Sequence, residues 1–563
     1  MEILLFIFPL LSFLLYQFFS QKIKTVILHA LNIFLLSLAF LLSLCIFMKI
    51  LDLDKNLPLY FYILAKNNNF FIDWSLRFDL LVAFLIILVT FTGLLLTIYS
   101  INLFKSNSID FKINSYLSLS IFSVLVLVTS NNLIQFFLAW YLVNLSSYLM
   151  SNTLENKFDN SNIFFQNRIS DLCFFLSLYF LYSISNSTNF DVIFKSFQFV
   201  ETNKIILNRN FSSFDILIFI LFFSFLLRCR QFYISNSRYD LLNFNTISFS
   251  LVLFCLYLPV GIYFILRFLT LTQISFDYLN FLVLLGSFFT LIFSILLIQS
   301  YNIKKLIIYI VSAQFGILLI ATGLKIYSAV VFNFFTSTMS LLILSLGFGV
   351  ISSKLNNEQD IRKMGHLIIK CPSIFLFILI GIISLLGIPY FSGFYSNQLI
   401  FFHSSLIYEK SYFLFFIYCF IYTFIISYIS FKIIIIVFLG QNNCNIHLYN
   451  KIEEGSYYLK FILFILSVFI VFSGWYLNNL FSGNFGENLW RLVLVGDTNF
   501  SINHNLENNK WLYKNRYIFS YLGIFLAFFN YFVIPKFGNS LKLKNNKVFK
   551  YYLKHFTSYD FNR

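Results

Sequence analysis

Apolar stretches of about 20 residues, the length that crosses a ~30 Å hydrocarbon layer as a helix, recur along nearly the whole chain. The pattern predicts spans near 3–20 and 25–48, one following Arg77–Asp79, and others near 116–136, 138–152, 167–187 and 212–227. Further spans fall near 245–268, 277–299, 305–323, 327–352, 372–396, 411–438, 457–478 and 517–535, about fifteen in all. Runs such as FKIIIIVFLG show no alternation on a period of two, so a membrane barrel is excluded. The chain reads as an all-α polytopic membrane protein. Between the spans, 49–78 carries Asp52, Asp54, Lys55, Lys66 and Asp73 and reads as an aqueous loop; 188–211 and 479–514 are polar as well. The opening MEILLFIFPLLSFLLYQFFS has no basic leading region and no small-residue cleavage site, which predicts a retained first span.

Polar positions inside the apolar body carry more information than the runs themselves. Thr129–Asn132 interrupts one pair of spans. The span ending at Arg228 runs into LLRCRQFYISNSRYDLLN, and another breaks around Gly387–Gly393. Two spans interrupted near one end are the usual pointer to a transporter built from paired repeats, with an ion path at mid-membrane. Tyr301–Gly316 sets Lys304 and Lys305 directly before an apolar run that holds Gln314. Such lysines lie either at the headgroup level or on a wet path through protein.

Composition narrows the function classes. Hydrophobic residues make up 59% of 563 positions and charged ones 11%, too little polar surface for a soluble protein of this size. The net charge of +16 sits mostly between spans and in the tail, where it anchors helix ends, and does not point to nucleic acid. Seven cysteines without a CxxC pair and six histidines without HExxH give no metal, haem, iron–sulfur or disulfide pattern. No nucleophile–base pair, phosphate loop or cofactor motif marks a self-contained enzyme.

Taken in order, several stretches resemble the chain 5 family, the largest antiporter-like membrane subunits of NADH:ubiquinone oxidoreductase (respiratory complex I). SLRFDLLVAFLIILVTFTGLLLTIYSI (75–101) and LVTSNNLIQFFLAWYLVNLSSYLM (127–150) are similar to that family's third to fifth spans. NRISD (167–171) resembles NRVGD, NIKKLIIYIVSAQFG (302–316) resembles DLKRVIAYSTCSQLG, and NNEQDIRKMG (356–365) is close to DEQDMRKMG. GIPYFSGFYSNQLI (387–400) resembles GFPFLTGFYSKDLI. The match covers about 71–440.

The resemblance implies inverted five-helix repeats with two broken helices and one path of buried ionisable residues. It divides the chain into N-terminal spans and loop (1–70), a first half (71–270), a second half (271–440) and C-terminal spans with a basic tail (441–563). Several expected ionisable positions differ here. Tyr141 stands where the family has a glutamate, and Arg228 in LRCRQ where it has the lysine of GKSAQ. The eighth-span histidine falls on Leu253, and the eleventh-span lysine on Ser340 or Leu341. A twelfth-span lysine and aspartate become Asn397 and Gln398. Asp171, Lys304, Asp79 and the thirteenth-span basic position, Lys432, match.

The proton-path candidates are therefore Asp171, Arg228, Lys304, Lys432, Tyr141, Ser340 and Asn397; Asp79, Asp240 and Lys305 are candidate structural charges. Arginine holds its proton, so Arg228 biases a switch or forms a structural pair with Asp171 or Asp240. Asp171 is a proton-path carboxylate or the partner in that pair. Lys432 carries protons or snorkels. Tyr141, Ser340 and Asn397 can order water but bring no charge.

By the same resemblance the chain sits in the mitochondrial inner membrane beside the chain 4 type of subunit and lipids such as cardiolipin. It binds no cofactor, since NADH, FMN, iron–sulfur clusters and ubiquinone belong to other subunits. NNKVFKYYLKHFTSYDFNR resembles the approach to a lateral amphipathic helix, which implies that a separate polypeptide supplies that helix or that it is missing. Two alternatives remain: a subunit of a multisubunit cation/proton antiporter, and a non-pumping scaffold of the complex.

Overall fold

The structure is a computed structural model that describes residues 2–19, 23–53, 57–67, 70–104, 108–154, 160–198, 213–228, 258–268, 276–406, 410–450, 452–482 and 517–533. The first compact unit begins with α1 (Leu4–Phe19) and α2 (Thr25–Leu53), then an antiparallel hairpin of β1 (Leu57–Asn67) and β2 (Phe70–Phe78). It continues through α3 (Leu80–Phe104), α4 (Ser108–Val128), α5 (Leu133–Leu154), α6 (Asn160–Ser185), the short α7 (Phe190–Gln198), α8 (Ser213–Arg228) and α9 (Leu258–Arg267). The start of α10 (Phe276–Gln299) belongs to this unit and the rest of it to the second.

The second unit adds α11 (Ile303–Gly323), α12 (Tyr327–Lys354), α13 (Pro372–Leu386), α14 (Ser392–Leu406) and α15 (Lys410–Ile434). A π turn (Ile435–Leu439) extends α15; α16 (Ile446–Asn450), α17 (Tyr457–Ser482) and α18 (Tyr517–Phe528) follow. Among the described residues, nine helices are long and apolar enough to cross a membrane, and four more are apolar but shorter. The polytopic helical class is borne out.

The segment 49–78 is ordered rather than irregular: α2 runs to Leu53, and Leu57 pairs with Phe78 through to Asn67 with Phe70. The aromatic and β-branched residues of LYFYILA and FFIDWSLRF favour strands over an irregular path, and Ser75, Leu76, Arg77 and Phe78 are buried.

Each unit carries the same main-chain device. Asn132, just before α5, forms an isolated antiparallel bridge with Asn189, just after α6. Leu133 N–H donates to Thr188 O at 2.9 Å and Phe190 N–H to Asn131 O at 3.2 Å. Likewise Asn302, before α11, bridges to Asp360, after α12. Ile303 N–H donates to Gln359 O at 2.9 Å and Ile361 N–H to Tyr301 O at 3.0 Å. Interruptions buried in this way need their backbone groups paired, and the bridges pair them.

In the second unit α12 is wrapped by α11, α13, α14 and α17 and is buried along almost its whole length. The α10–α11 approach is set by two glycines: a Cβ on Gly286 would lie 2.6 Å from Gly316 O, and one on Gly316 would lie 2.8 Å from Gly286 O. Small residues of this kind let membrane helices pack at backbone distance. The expected break at Gly387–Gly393 is present. Gly387 closes α13 in the left-handed region at φ 67°, as helix-ending glycines commonly do, and α14 restarts at Ser392.

Candidate functional site

The first unit holds a buried carboxylate between α5 and α6. Trp140 and Asn144 lie four residues apart on one face of α5. The Trp140 indole N–H donates to Asp171 Oδ1 at 3.0 Å, and the Asn144 amide donates to the same oxygen. Arg168, one turn earlier on α6, stands 3.5 Å from Asp171 Oδ2. Arg168 also donates to the Tyr141 hydroxyl at 3.2 Å, its guanidinium 5.0 Å from the ring centre. Asp171 is 8% exposed, whereas Tyr141 is 40% exposed. Tyr141 thus serves Arg168 on the outer side, and Trp140 and Asn144 form the inner contact. The reading from sequence settled on Tyr141 and missed both neighbours; their spacing in WYLVN was the available signal.

A second charged group lies at the hairpin. Asp79, fully buried, accepts at 2.7 Å from Arg77 Nε and at 2.7 Å from Arg267 Nη1, and Arg77 also pairs with Asp191 of α7. Asp79, a candidate structural charge, stands directly before α3. Arg267, at the C-terminus of α9, is the partner that the sequence did not reveal. Each charge sits at the helix end whose dipole favours it.

In the second unit Asn302 caps α11 by accepting from the Lys304 N–H at 2.9 Å. Lys304 is buried at 7% exposure and Lys305 half-buried, so the two lysines do not share one environment. Gln314 is buried deeper in the same helix. Lys432 is 2% exposed, donates to Ile298 O at 3.2 Å, and lies 4.1 Å from the Tyr301 ring centre. Arg362 packs on that ring at 4.6 Å. The π turn that begins after Ile434 is a feature often found beside functional groups.

Among the described residues, α12 and α14 meet through neutral polar groups. Asn333 Nδ2 donates to Asn397 Oδ1 at 2.6 Å, and the Thr336 and Ser396 hydroxyls are 2.8 Å apart. Ser340 bonds back to Ser337 O at 2.9 Å within α12. Gln398 is half-buried on the next position of α14. Arg228 closes α8, but its side chain, Asp240, Leu253 and the tail 534–563 lie outside the described residues. Among the described residues no three His, Cys, Asp or Glu side chains converge as a metal site would require.

A family profile for the transmembrane region of the NADH:quinone oxidoreductase/Mrp antiporters matches residues 130–427, more than half of the chain. The chain belongs to this family. Among its relatives, NADH-ubiquinone oxidoreductase chain 5 of Acanthamoeba castellanii is 28% identical over 85% of this chain and 72% of that protein. NADH-quinone oxidoreductase subunit L of Rickettsia typhi is 28% identical over 87% of this chain and 76% of that protein. A 17% identical chain from the membrane-bound sulfane sulfur reductase, an archaeal respiratory membrane complex, shares the fold. Its TM-score is 0.69, over 85% of this chain and 78% of that one.

The resemblance to chain 5 is borne out by the names of these relatives. Within this antiporter family member, Asp171, Lys304, Ser340 and Asn397 fall inside the matched region; Asp79, Lys432 and all of α17 fall outside it.

Proposed function

We propose that this chain is the chain 5-type membrane-arm subunit of a proton-translocating NADH:ubiquinone oxidoreductase in the mitochondrial inner membrane. Its neighbours are the other membrane-arm subunits, the chain 4 type among them, and lipids, cardiolipin included. Redox chemistry belongs to other subunits, which hold NADH, FMN, iron–sulfur clusters and ubiquinone.

The observation that carries the reading is the buried Asp171 inside the family match. Trp140 and Asn144 position the carboxylate through neutral donors, and Arg168 is shared between it and Tyr141. An acid held this way has a charge state that a shift of one neighbouring cation can bias. Lys432 is its counterpart in the second unit, a buried amine held by a carbonyl and a ring. Amines in such places are able to exchange protons, which arginine is not.

A second reading, a non-pumping scaffold, is favoured by the Asn333–Asn397 pair, which is neutral where the resemblance calls for a lysine. The two readings separate in the intact complex reconstituted in sealed vesicles, by protons moved per NADH oxidised. A yield equal to that of a complex whose chain 5 keeps its lysines supports a working path. A yield short by one path's share supports the scaffold. Sodium-dependent transport by the isolated chain would instead favour an antiporter subunit.

A further inference from the structure

The start of α13 lacks a cap of its own. Its N-cap residue, Cys371, makes no side-chain capping bond, and Pro372 at the first helical position has no N–H. The first free donor is the Ser373 N–H, and it is taken from far along the chain: Glu454 Oε1 accepts it at 3.0 Å. The other oxygen of Glu454 accepts from Lys460, in the first turn of α17. Gly455, at φ 83°, lets the chain turn at once from Glu454 into α17.

The same helix meets the discontinuous segment again beyond the break. A Cβ on Gly474 of α17 would lie 2.4 Å from Ser392 Cα and 2.8 Å from Tyr395 Cδ2, so α17 touches the first turn of α14 at backbone distance. On the α14 side of that contact, Asn397 pairs with Asn333 and Ser396 with Thr336. One helix outside the family match thus grips both pieces of the broken helix, by charge at the entry and by a glycine at the restart.

We propose that α17 is a clamp on the discontinuous helix, with Glu454 as the positioning residue that fixes α13 and, across the break, the Asn333–Asn397 pair. The chemistry is specific. A carboxylate satisfies a helix N–H and an ammonium together; an amide of the same shape keeps the first bond and loses the ion pair. The functional consequence rests on the proposed role in proton translocation: the clamp fixes the geometry of the polar interior through which a water path would run.

The test uses the assembled complex in membranes, with amide hydrogen exchange followed by mass spectrometry on this subunit and proton yield per NADH measured beside it. Glu454→Gln is expected to raise exchange at 373–376 roughly tenfold, the size of a weakened helix cap, and also at 388–396. Glu454→Asp is expected to recover most of the protection. Gly474→Ala is expected to raise exchange at 388–396 while sparing 373–376. Should Glu454→Gln prevent assembly, Lys460→Met is read in the same way. Exchange confined to 373–376 in the Glu454 and Lys460 variants would reduce Glu454 to a local cap and overturn the clamp. Exchange that spreads to 388–396 without any change in proton yield would uphold the clamp and count against the translocating role.

Discussion

Asn333 and Asn397 hold α12 and α14 together by an amide-to-carbonyl hydrogen bond of 2.6 Å, in an interior where Thr336 and Ser396 meet at 2.8 Å. No proton need be gained or lost for this contact to form. Its strength follows from the burial of the Asn333 amide against a half-buried Asn397, and its selectivity from the donor of one finding the acceptor of the other.

The first prediction tests that pair. Asn333→Leu and Asn397→Leu each leave one amide without its partner, while the double variant removes both. A double-mutant cycle on the thermal midpoint of the detergent-solubilised complex is expected to give a coupling of about 0.6–1.7 kcal/mol, the range for polar contacts between membrane helices. A coupling of zero would mean the amides do not meet.

Asp171→Asn keeps the shape of the side chain and removes the charge that faces Arg168. Trp140 and Asn144 still have an oxygen to donate to, so the complex is expected to assemble in normal amount. Proton yield per NADH is expected to fall, and Asp171→Glu to restore part of it. An unchanged yield would assign Asp171 to structure alone.

Asp79→Asn is expected to act on accumulation instead. It removes the carboxylate charge shared by Arg77 and Arg267, leaving Arg77 with Asp191 and the buried Arg267 against a neutral amide. Breaking a buried ion pair on one side costs about 3–5 kcal/mol, enough to lower the amount of subunit in membranes several-fold. Quantitative immunoblotting of the membrane fraction reads this directly, with Asp191→Asn, whose side chain is half exposed, as the milder control.

Acid is expected to loosen the start of α13. Burial tends to raise the Glu454 carboxyl, but hydrogen bonds from Lys460 and Ser373 outweigh it and hold the group below its ordinary value of 4.5. A carboxyl depressed in the folded state contributes stability above its ordinary value and loses it as pH falls through the folded one. Cys371, pushed up to about 11 by burial and then by the Glu454 charge, stays a neutral thiol throughout, and the Lys354, Lys370 and Lys460 side chains are the other charges that face it. Protection at 373–376, corrected for the intrinsic pH dependence of amide exchange, should therefore be flat from neutral pH to about 5 and fall below 4.5, with the fall absent in Glu454→Gln.

The helical class and most span positions were legible because lipid demands long apolar runs, and a break such as Gly387 announces itself through glycine, proline and serine together. The hairpin was not, because Lys66 and Asp73 drew attention to charge while the strand signal lay in the aromatics around them. Asp171 could be named from NRISD. The spacing in WYLVN puts its donors on one face of α5, but nothing in the chain marks that this face turns toward α6. Arg267 and Glu454 share a different difficulty. Each is an ordinary charge at the edge of a span until folding brings it to Asp79 or to Ser373, and those separations in sequence carry no periodicity to read.

The paired bridges, Asn132 with Asn189 and Asn302 with Asp360, are closed by peptide groups, and at the second the Asn302 amide adds a bond to Gln359 Oε1. The main-chain bonds of such a corner can form whatever side chains stand at it. The composition can therefore drift, toward the 80 phenylalanines this chain now carries, without unlacing the bundle. Selection for shape and selection for charge become partly separable: an ionisable residue that does not itself fasten the frame, as Asp79 does, can be exchanged for a neutral one without loosening these corners.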